Sequence, residues 1–183
     1  MVQSMYFLSS CVLLFFLLGS ANAQSPSAAG GLHTLAALPE RSQAPDFKLI
    51  DTRDKVYTLS AYHGQVVLVN FWASWCEPCR KEMPSLQRAW EKLRAQGVLV
   101  LAVNWGDDAP TVDKFLQEVP VDFPILLGWD DEMIARWSIQ GLPTTFIIDP
   151  QGRLAYRVAG ELEWDDPQIL DKVLALKEKV DGK

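Results

Sequence analysis

Two cysteines separated by two residues follow shortly after a predicted buried strand. The apolar run at residues 66–72 leads into the sequence WCEPC at residues 75–79. Because Cys76 and Cys79 lie within one helical turn, they can close and reopen a small disulfide ring. The first sulfur is expected at the exposed start of the helix, where unpaired N–H groups and the helix dipole favour a thiolate. A thiolate is the species that attacks disulfides, so the pattern predicts a redox-active pair.

Two other interpretations of the pair fit the sequence less well. A zinc site needs two further ligands, and the only histidines, His33 and His63, have no useful spacing to each other. A structural disulfide across so short a loop would constrain little of the unfolded chain. We therefore predict no metal and no cofactor, with Cys76 as the attacking sulfur and Cys79, one turn further on and buried, as the resolving one.

The residues between the cysteines are predicted to tune the pair. Pro78 restricts the backbone of the disulfide ring. Glu77 is an anion near the thiolate and would oppose its formation, although the helix dipole favours an anion at this position. The alternative interpretation of Glu77 is a solvent-facing acid in the first helical turn.

The N-terminus predicts export. Residues 7–18 form an apolar stretch, and the sequence GSANA that follows ends at Ala23 in an A-x-A cleavage pattern. These features predict a secretory signal peptide over residues 1–23 and a periplasmic or otherwise exported mature protein. An uncleaved membrane tether is the alternative, although the stretch is short for a span of about 20 residues. Cleavage would remove Cys11 and leave only the two motif cysteines, an arrangement suited to dithiol exchange.

The mature chain is predicted to contain a linker and one domain. Residues 24–44 are rich in Ser, Ala and Gly, which is typical of a flexible linker. Residues 45–183 are long enough for a single domain with a proper core. The signal region carries no charged side chain, so the net charge of −6 belongs to the mature chain. This acidic balance argues against nucleic acid as a partner.

Hydrophobic patterning predicts an α/β fold with a mixed central sheet flanked by helices. The expected elements are an N-terminal β-hairpin (46–50 and 56–59), buried strands (66–72 and 98–103), a helix after the cysteines that contains Pro84, a helix at 111–119, a strand at 123–127, a helix ending at Trp137, a strand at 144–148, a hairpin turn at 149–152 into a strand at 153–158, and a C-terminal helix capped by Asp165.

Several segments resemble the thioredoxin fold when they are taken together and in order. These are FWASWCEPC at 71–79, a proline eight positions after the first cysteine at 84, and GLPTTF at 141–146, which resembles the cis-proline loop of that fold. Three segments are similar, more narrowly, to the exported TlpA/ResA-type thiol–disulfide oxidoreductases: APDF at 44–47, LVNFWASWC at 68–76 and RKEMP at 80–84. The resemblance implies a thioredoxin-like fold with an extra strand–helix insertion between residues 104 and 137.

The resemblance also implies a function. Proteins of this type are mostly reductants, which pass electrons from a membrane thiol donor to oxidised cysteines in exported proteins. Their client is often apocytochrome c before haem attachment. The expected partners are therefore exported proteins with oxidised cysteines and a membrane thiol electron donor.

Further site residues follow from the same resemblance. The peptide bond before Pro143 is expected to be cis, so that the loop presents backbone groups of Leu142 to a bound peptide. Trp75 is expected to lie beside the sulfurs and to contact substrate. The thioredoxins carry a buried aspartate six residues before the first cysteine, where this chain has Asn70, so that base is absent.

Glu82 matches a glutamate that TlpA/ResA-type proteins place near their active site. It is expected to help move the proton of Cys79, which requires a pKa raised by partial burial. The alternative is a surface glutamate paired with Arg80 or Lys81.

Other functions stay open on the sequence. A thiol oxidant or isomerase of the same fold would differ in reduction potential. A peroxidase needs a threonine three residues before its reactive cysteine, where this chain has Ala73. A copper-binding assembly factor would need a histidine near the sulfurs, and a peptide-binding chaperone would not need the cysteines.

Overall fold

A computed structural model describes residues 35–128 and 130–181 of the chain. The predicted signal peptide at residues 1–23, including Cys11, and the linker residues 24–34 lie outside the described residues. No helix within the described ranges is long and apolar enough to cross a membrane.

One mixed sheet of eight strands organises the described residues, with order β1-β8-β7-β4-β5-β6-β2-β3. Strand β4 pairs in parallel with β5, which pairs in parallel with β6, and the remaining neighbours are antiparallel. The strands are β1 (Ala36–Ala37), β2 (Lys48–Asp51), β3 (Val56–Thr58), β4 (Val67–Trp72), β5 (Leu99–Asn104), β6 (Ile125–Leu127), β7 (Thr144–Ile148) and β8 (Leu154–Ala159). The helices are α1 (Glu77–Leu93), α2 (Ala109–Glu118), α3 (Asp131–Arg136) and α4 (Pro167–Asp181).

This arrangement confirms the predicted α/β fold. Strands β2 and β3 form the expected N-terminal hairpin, and β2 joins the sheet through β6. The insertion between β5 and β7 contains α2, β6 and α3. A parallel pair such as β4 and β5 needs a crossover, which α1 supplies.

The central strand β4 has two buried faces because successive side chains point to opposite sides of a sheet. Leu68 and Trp72 belong to the core cluster that α1 and α4 cover. Val69 and Phe71 belong to a second cluster on the other face. By this alternation Asn70 points to the α1 side. A polar side chain therefore enters the core next to α1, which begins at the cysteine pair and is called the redox helix below.

Apolar residues at 83, 86, 90 and 93 recur along α1 at 3, 4, 3 spacing, which predicts one buried stripe. The helix buries this stripe, with Trp90 half-buried and Met83, Leu86 and Leu93 fully covered. Pro84 lies inside the helix, as predicted. Two polar residues, Glu82 and Ser85, are buried beside this stripe. Helical periodicity alone did not predict their burial.

The last part of the expected linker lies along the sheet. Leu35 is buried, and Ala36 and Ala37 form β1 on the outer edge of β8. The backbone N–H of Ala44 donates to Gly152, and Arg41 pairs with the buried carboxylate of Asp149 at 3.1 Å. Residues 35–44 therefore cover a sheet edge that would otherwise expose unpaired backbone groups.

The start of α4 differs from the prediction by one residue. The Asp166 side chain accepts a hydrogen bond from the N–H of Gln168 at 2.7 Å, so Asp166, not Asp165, caps the helix. Pro167 opens the helix, where its missing N–H leaves no intrahelical bond unmade. Asp165 instead binds the Arg88 guanidinium through both carboxylate oxygens, at 2.7 and 3.1 Å.

Candidate active site

A disulfide joins Cys76 and Cys79 at the start of α1, with their Cα atoms 5.3 Å apart. Cys76 is the N-cap residue of the helix, and its sulfur accepts a hydrogen bond from the N–H of Cys79 at 3.3 Å. The Cys76 sulfur thus lies where backbone donors and the helix dipole favour negative charge, as the sequence predicts.

The two cysteines differ in accessibility, although less than expected. Cys79 is completely buried, whereas Cys76 keeps 6% of its surface exposed. The expectation of an exposed Cys76 is therefore only partly met, because both sulfurs pack into the cluster that includes Trp72 and Ala73, with Leu142 packed against it. Cys76 is the sulfur that an incoming thiol or disulfide can reach.

The two residues between the cysteines lie in the first turn of α1 and are exposed to solvent. Glu77 is the first residue of α1, and its exposed carboxylate lies 3.8 Å from the Lys81 ammonium one turn on. Pro78 occupies the next position, where a helix tolerates proline. This placement matches the interpretation of Glu77 as a solvent-facing acid, and tuning of the pair by both residues stays a prediction.

Glu82 is buried, which contradicts the alternative of a surface ion pair. Only 2% of its surface is exposed. Arg80 instead pairs with Glu118 at 2.9 Å, and Lys81 pairs with the first-turn acid. Glu82 is buried because residues three apart on a helix share a face, and Cys79, three residues before it, faces the core.

Three hydrogen-bond donors surround the Glu82 carboxylate. Asn70 Nδ2 lies 2.7 Å from Oε1, while Trp164 Nε1 and the backbone N–H of Leu162 lie 3.0 and 3.3 Å from Oε2. Asn70 Nδ2 also donates to Thr145 Oγ1 at 2.8 Å. We refer to these five residues (Asn70, Glu82, Thr145, Leu162 and Trp164) as the carboxylate cluster.

Burial raises the pKa of Glu82 from 4.5 to about 7. Hydrogen bonds from Trp164, Asn70 and the Leu162 backbone act in the opposite direction, because they stabilise the charged form. The negative charge of Glu161 raises the pKa further. A carboxyl group with such a pKa can accept and release a proton near neutral pH.

The cis-proline loop lies at the same sheet edge as the cysteines. The Leu142–Pro143 peptide bond is cis, as predicted. Thr144, which starts β7, pairs with Phe71 of β4, so Pro143 lies level with the end of the strand that leads to Cys76. The Pro143 carbonyl accepts a hydrogen bond from the N–H of Gly160 at 2.8 Å. Leu142 is half-buried beside it.

Trp75, the residue before Cys76, is a large apolar side chain with 66% of its surface exposed. Its ring meets the ring of Trp105 edge-on, with centroids 6.1 Å apart. An exposed aromatic residue next to a reactive cysteine is suited to contact another protein. Its role in substrate binding stays a prediction.

Asp107 holds the loop that carries Trp75, and the sequence analysis missed it. The Asp107 carboxylate accepts hydrogen bonds from the Ser74 N–H at 2.8 Å, the Ser74 hydroxyl at 2.9 Å and Asn104 Nδ2 at 2.8 Å. A signal was present, because Asn104 ends β5 and Ser74 follows β4, and the carboxyl ends of parallel neighbours meet at one edge.

Comparison with known proteins agrees with this geometry. The AhpC/TSA family matches residues 41–157 of the chain. The thiol-disulfide oxidoreductase ResA of Bacillus subtilis (strain 168) is 38% identical over 126 residues, which cover 69% of this chain and 70% of that protein. ResA of Geobacillus kaustophilus is also 38% identical, over 125 residues, covering 68% of this chain and 72% of that protein.

Solved structures of thiol–disulfide proteins share the fold. A crystal structure described as thiol:disulfide interchange protein DsbE from Chlorobium tepidum has a TM-score of 0.69 and 33% identity, covering 77% of this chain and 99% of that one. A secreted thiol-disulfide isomerase from Corynebacterium glutamicum also has a TM-score of 0.69, with 27% identity, covering 85% and 97% of the two chains. With the disulfide at the helix start, these matches show that the chain belongs to the AhpC/TSA family of thioredoxin-like proteins, as a thiol–disulfide oxidoreductase of the ResA type.

Proposed function

We propose that this protein is an exported reductant of disulfides in other exported proteins. The observation that carries the proposal is the pairing of a helix-capping Cys76 with a buried Cys79 that has Glu82 on the same helical face. In this arrangement the attacking sulfur of Cys76 is accessible and the resolving sulfur of Cys79 is protected. Glu82 supplies an acid–base group on the same helical face as Cys79. The direction of electron flow is proposed from the resemblance to TlpA/ResA-type proteins, which are mostly reductants.

In the proposed reaction, the Cys76 thiolate attacks one sulfur of a client disulfide. The client S–S bond breaks, a mixed disulfide forms between Cys76 and the client, and the other client sulfur leaves as a thiolate that takes a proton. Cys79 then loses its proton and attacks the Cys76 sulfur. This releases the second client thiol and closes the Cys76–Cys79 disulfide, so two electrons pass from the protein to the client.

Glu82 is proposed to accept the proton that Cys79 loses. Burial in apolar surroundings disfavours a thiolate at Cys79, so resolution benefits from a nearby base. Residue 82 lies one turn further along the buried face of α1, and its pKa of about 7 suits reversible proton transfer at neutral pH. Asn70 is neutral, so it can orient this carboxylate and cannot replace it as a base.

Client binding is proposed to use the surface around Cys76. The exposed Trp75 ring, on the residue before Cys76, offers an apolar contact. The backbone of Leu142 at the cis-proline loop offers hydrogen-bonding groups to an extended peptide. The resemblance to ResA-type proteins implies exported clients with oxidised cysteines, apocytochrome c among them, and a membrane thiol donor that returns the disulfide to the dithiol.

The reduction potential of the Cys76–Cys79 pair tests the direction of electron flow. Trp75 fluorescence during equilibration with dithiothreitol or glutathione buffers would report it. A potential at or below about −230 mV would support an electron donor, and a value of about −120 to −180 mV would indicate an oxidant or isomerase instead. Absence of a reversible transition would reject the redox function.

Mass spectrometry of the mature N-terminus tests export. Cleavage after Ala23 would give a chain that starts at Gln24. A chain that still starts at Met1 would reject cleavage and favour the tethered form.

A further inference from the structure

The loop between β8 and α4, residues 160–166, is attached to the redox helix at successive turns. Trp164 Nε1 and the Leu162 N–H both donate to Glu82 Oε2, at 3.0 and 3.3 Å. One turn further along α1, the backbone N–H of Trp164 donates to the hydroxyl of Ser85 at 3.1 Å. The next turn carries Arg88, which binds Asp165 through two hydrogen bonds. The loop therefore has a defined position relative to Glu82.

The same loop is attached to the cis-proline segment at its other end. The N–H of Gly160 donates to the Pro143 carbonyl at 2.8 Å, and Gly160 has a φ of 97°, which favours glycine. The loop is thus fixed on both sides of the site, and the Trp164 indole has little freedom to move away from the carboxylate.

The indole of Trp164 is distinguished from other buried indoles by its hydrogen bond. Among the described residues, Trp72 and Trp137 are also buried, and their Nε1 atoms have no hydrogen-bond partner. Trp164 is 1% exposed and directs its N–H at Glu82. In a buried site of low dielectric, such a donor to a charged group is worth more than a packing contact.

We propose that Trp164 is a positioning residue for Glu82, and that its indole N–H fixes Oε2 and favours the ionised carboxylate. This inference rests on the proton role proposed for Glu82. Trp164 neither touches the sulfurs in this role nor transfers a proton. Its effect is to orient the acid–base group, with Asn70 holding Oε1 from the opposite side.

The surroundings of Glu82 contain few other groups that titrate. On the buried face of α1, Cys79 lies three residues before Glu82 and does not titrate while it is in the disulfide. The loop contributes the charge of Glu161, which raises the pKa of Glu82. Strands β4 and β7 contribute Asn70 and Thr145, both neutral. In the oxidised protein, Glu161 is therefore the charged group that acts on Glu82, and comparison with Glu82→Gln identifies the titration of residue 82.

The test is the titration of the Glu82 carboxyl in the oxidised full-length mature protein with Trp164→Phe, followed by ¹³C NMR of labelled glutamate and assigned with Glu82→Gln. The substitution keeps an aromatic ring and removes the N–H. We expect the titration midpoint to rise by about one pH unit, since a hydrogen bond to a charged group is lost. Trp137→Phe is the matched control, because it removes a buried indole with no partner, and it should leave the midpoint unchanged. An unchanged midpoint in folded Trp164→Phe would overturn the inference.

A second measurement on the unaltered protein covers the case in which Trp164→Phe does not fold. The ¹⁵N-labelled Trp164 Nε1–H resonance should titrate with the midpoint of Glu82 and should lose this titration in Glu82→Gln. An indole resonance that does not change between pH 5 and 9 would contradict the proposed contact. If Glu82→Gln left disulfide exchange rates unchanged, the proton role of Glu82 would fail while the Trp164 titration result would still stand.

Discussion

Asn70 on the central strand donates a hydrogen bond to Glu82 on the redox helix, with Nδ2 2.7 Å from Oε1. Both residues are buried, and their side chains meet across the interface between β4 and α1. In this pair the strand supplies a neutral donor and the helix supplies the group that titrates. The proton chemistry of this site therefore depends on the helix.

Glu82→Gln should remove the pH dependence of resolution near neutral pH. Loss of a general base slows a proton-transfer step by about 10²-fold or more. The measurement is stopped-flow fluorescence of the reduced protein mixed with a disulfide client between pH 5.5 and 8.5. Equal rates and equal pH profiles for the variant and the unaltered protein would reject the role of Glu82.

The same variant should change how stability depends on pH. Glu82 ionises near 4.5 when unfolded, and burial raises its folded pKa to about 7. Between these values the folded state binds the extra proton, so its stability falls as the pH rises through this window. Relative to Glu82→Gln, the unaltered protein should lose about 3 kcal/mol of unfolding free energy between pH 4.5 and 8. Urea unfolding at several pH values measures this difference, and a difference that is constant with pH would contradict the prediction.

Asn70→Asp should couple two carboxyl groups across β4 and α1. The Asn70 nitrogen that the substitution replaces lies 2.7 Å from Glu82 Oε1, so the two carboxyl groups share one proton after the first has ionised. Loss of this second proton places two negative charges side by side in a buried site, which is unfavourable. We expect the variant to be much less stable at pH 8 than at pH 5. Asn70→Asp combined with Glu82→Gln is the control, since the second carboxyl group is then absent. Similar stability of the single variant at both pH values would argue against the contact.

Asp107→Ala should loosen the loop that carries Trp75 and lower stability. The carboxylate accepts three hydrogen bonds, two of them from Ser74, and its loss leaves these donors without their partner. The expected cost in unfolding free energy is about 1–3 kcal/mol, with a change in Trp75 fluorescence. Asp108→Ala is the matched control, because it removes the N-cap of α2, which costs about 1 kcal/mol, and does not touch the loop. A fluorescence change of the same size in both variants would contradict a specific effect on the loop.

Trp75→Ala should weaken client reduction and leave stability nearly unchanged. The side chain is 66% exposed, so its removal should alter the unfolding free energy by less than about 0.5 kcal/mol. The value of kcat/KM should fall for a protein client and stay the same for a small disulfide such as hydroxyethyl disulfide. An equal fall for both substrates would indicate an effect on the sulfurs and not on client binding.

Local sequence patterns predicted the redox pair and most of the fold. Cys76 and Cys79 lie within one turn after an apolar run, and both features depend on residues close in sequence. The apolar stripe of α1 and the turn before β8 also depend only on residues close in sequence, and both were predicted. The cap of α4 was predicted one residue too early, because adjacent aspartates at 165 and 166 have equal capping propensity and the position of Arg88 distinguishes them.

The surroundings of Glu82 could not be predicted in the same way. The sequence left a surface ion pair and a buried acid as alternatives, because helical spacing places residue 82 at the edge of the apolar stripe. Its partners come from β4, 12 positions before it, and from the loop 82 positions after it. From the sequence, Trp164 is most simply interpreted as a packing residue, since its sequence context contains no sign of the group to which its N–H donates.

The order of residues was thus enough to specify a dithiol at a helix start, a sheet that supports it and the chemistry of disulfide exchange. These properties follow from periodicity and from residues within a few turns of each other. The folded arrangement was needed to show that Glu82 is buried, that Trp164 and Asn70 hold its two oxygens, and that Asp107 holds the Trp75 loop. Those contacts depend on how β4, α1 and the β8–α4 loop pack together, and long-range packing determines both the desolvation and the hydrogen bonds that set a pKa.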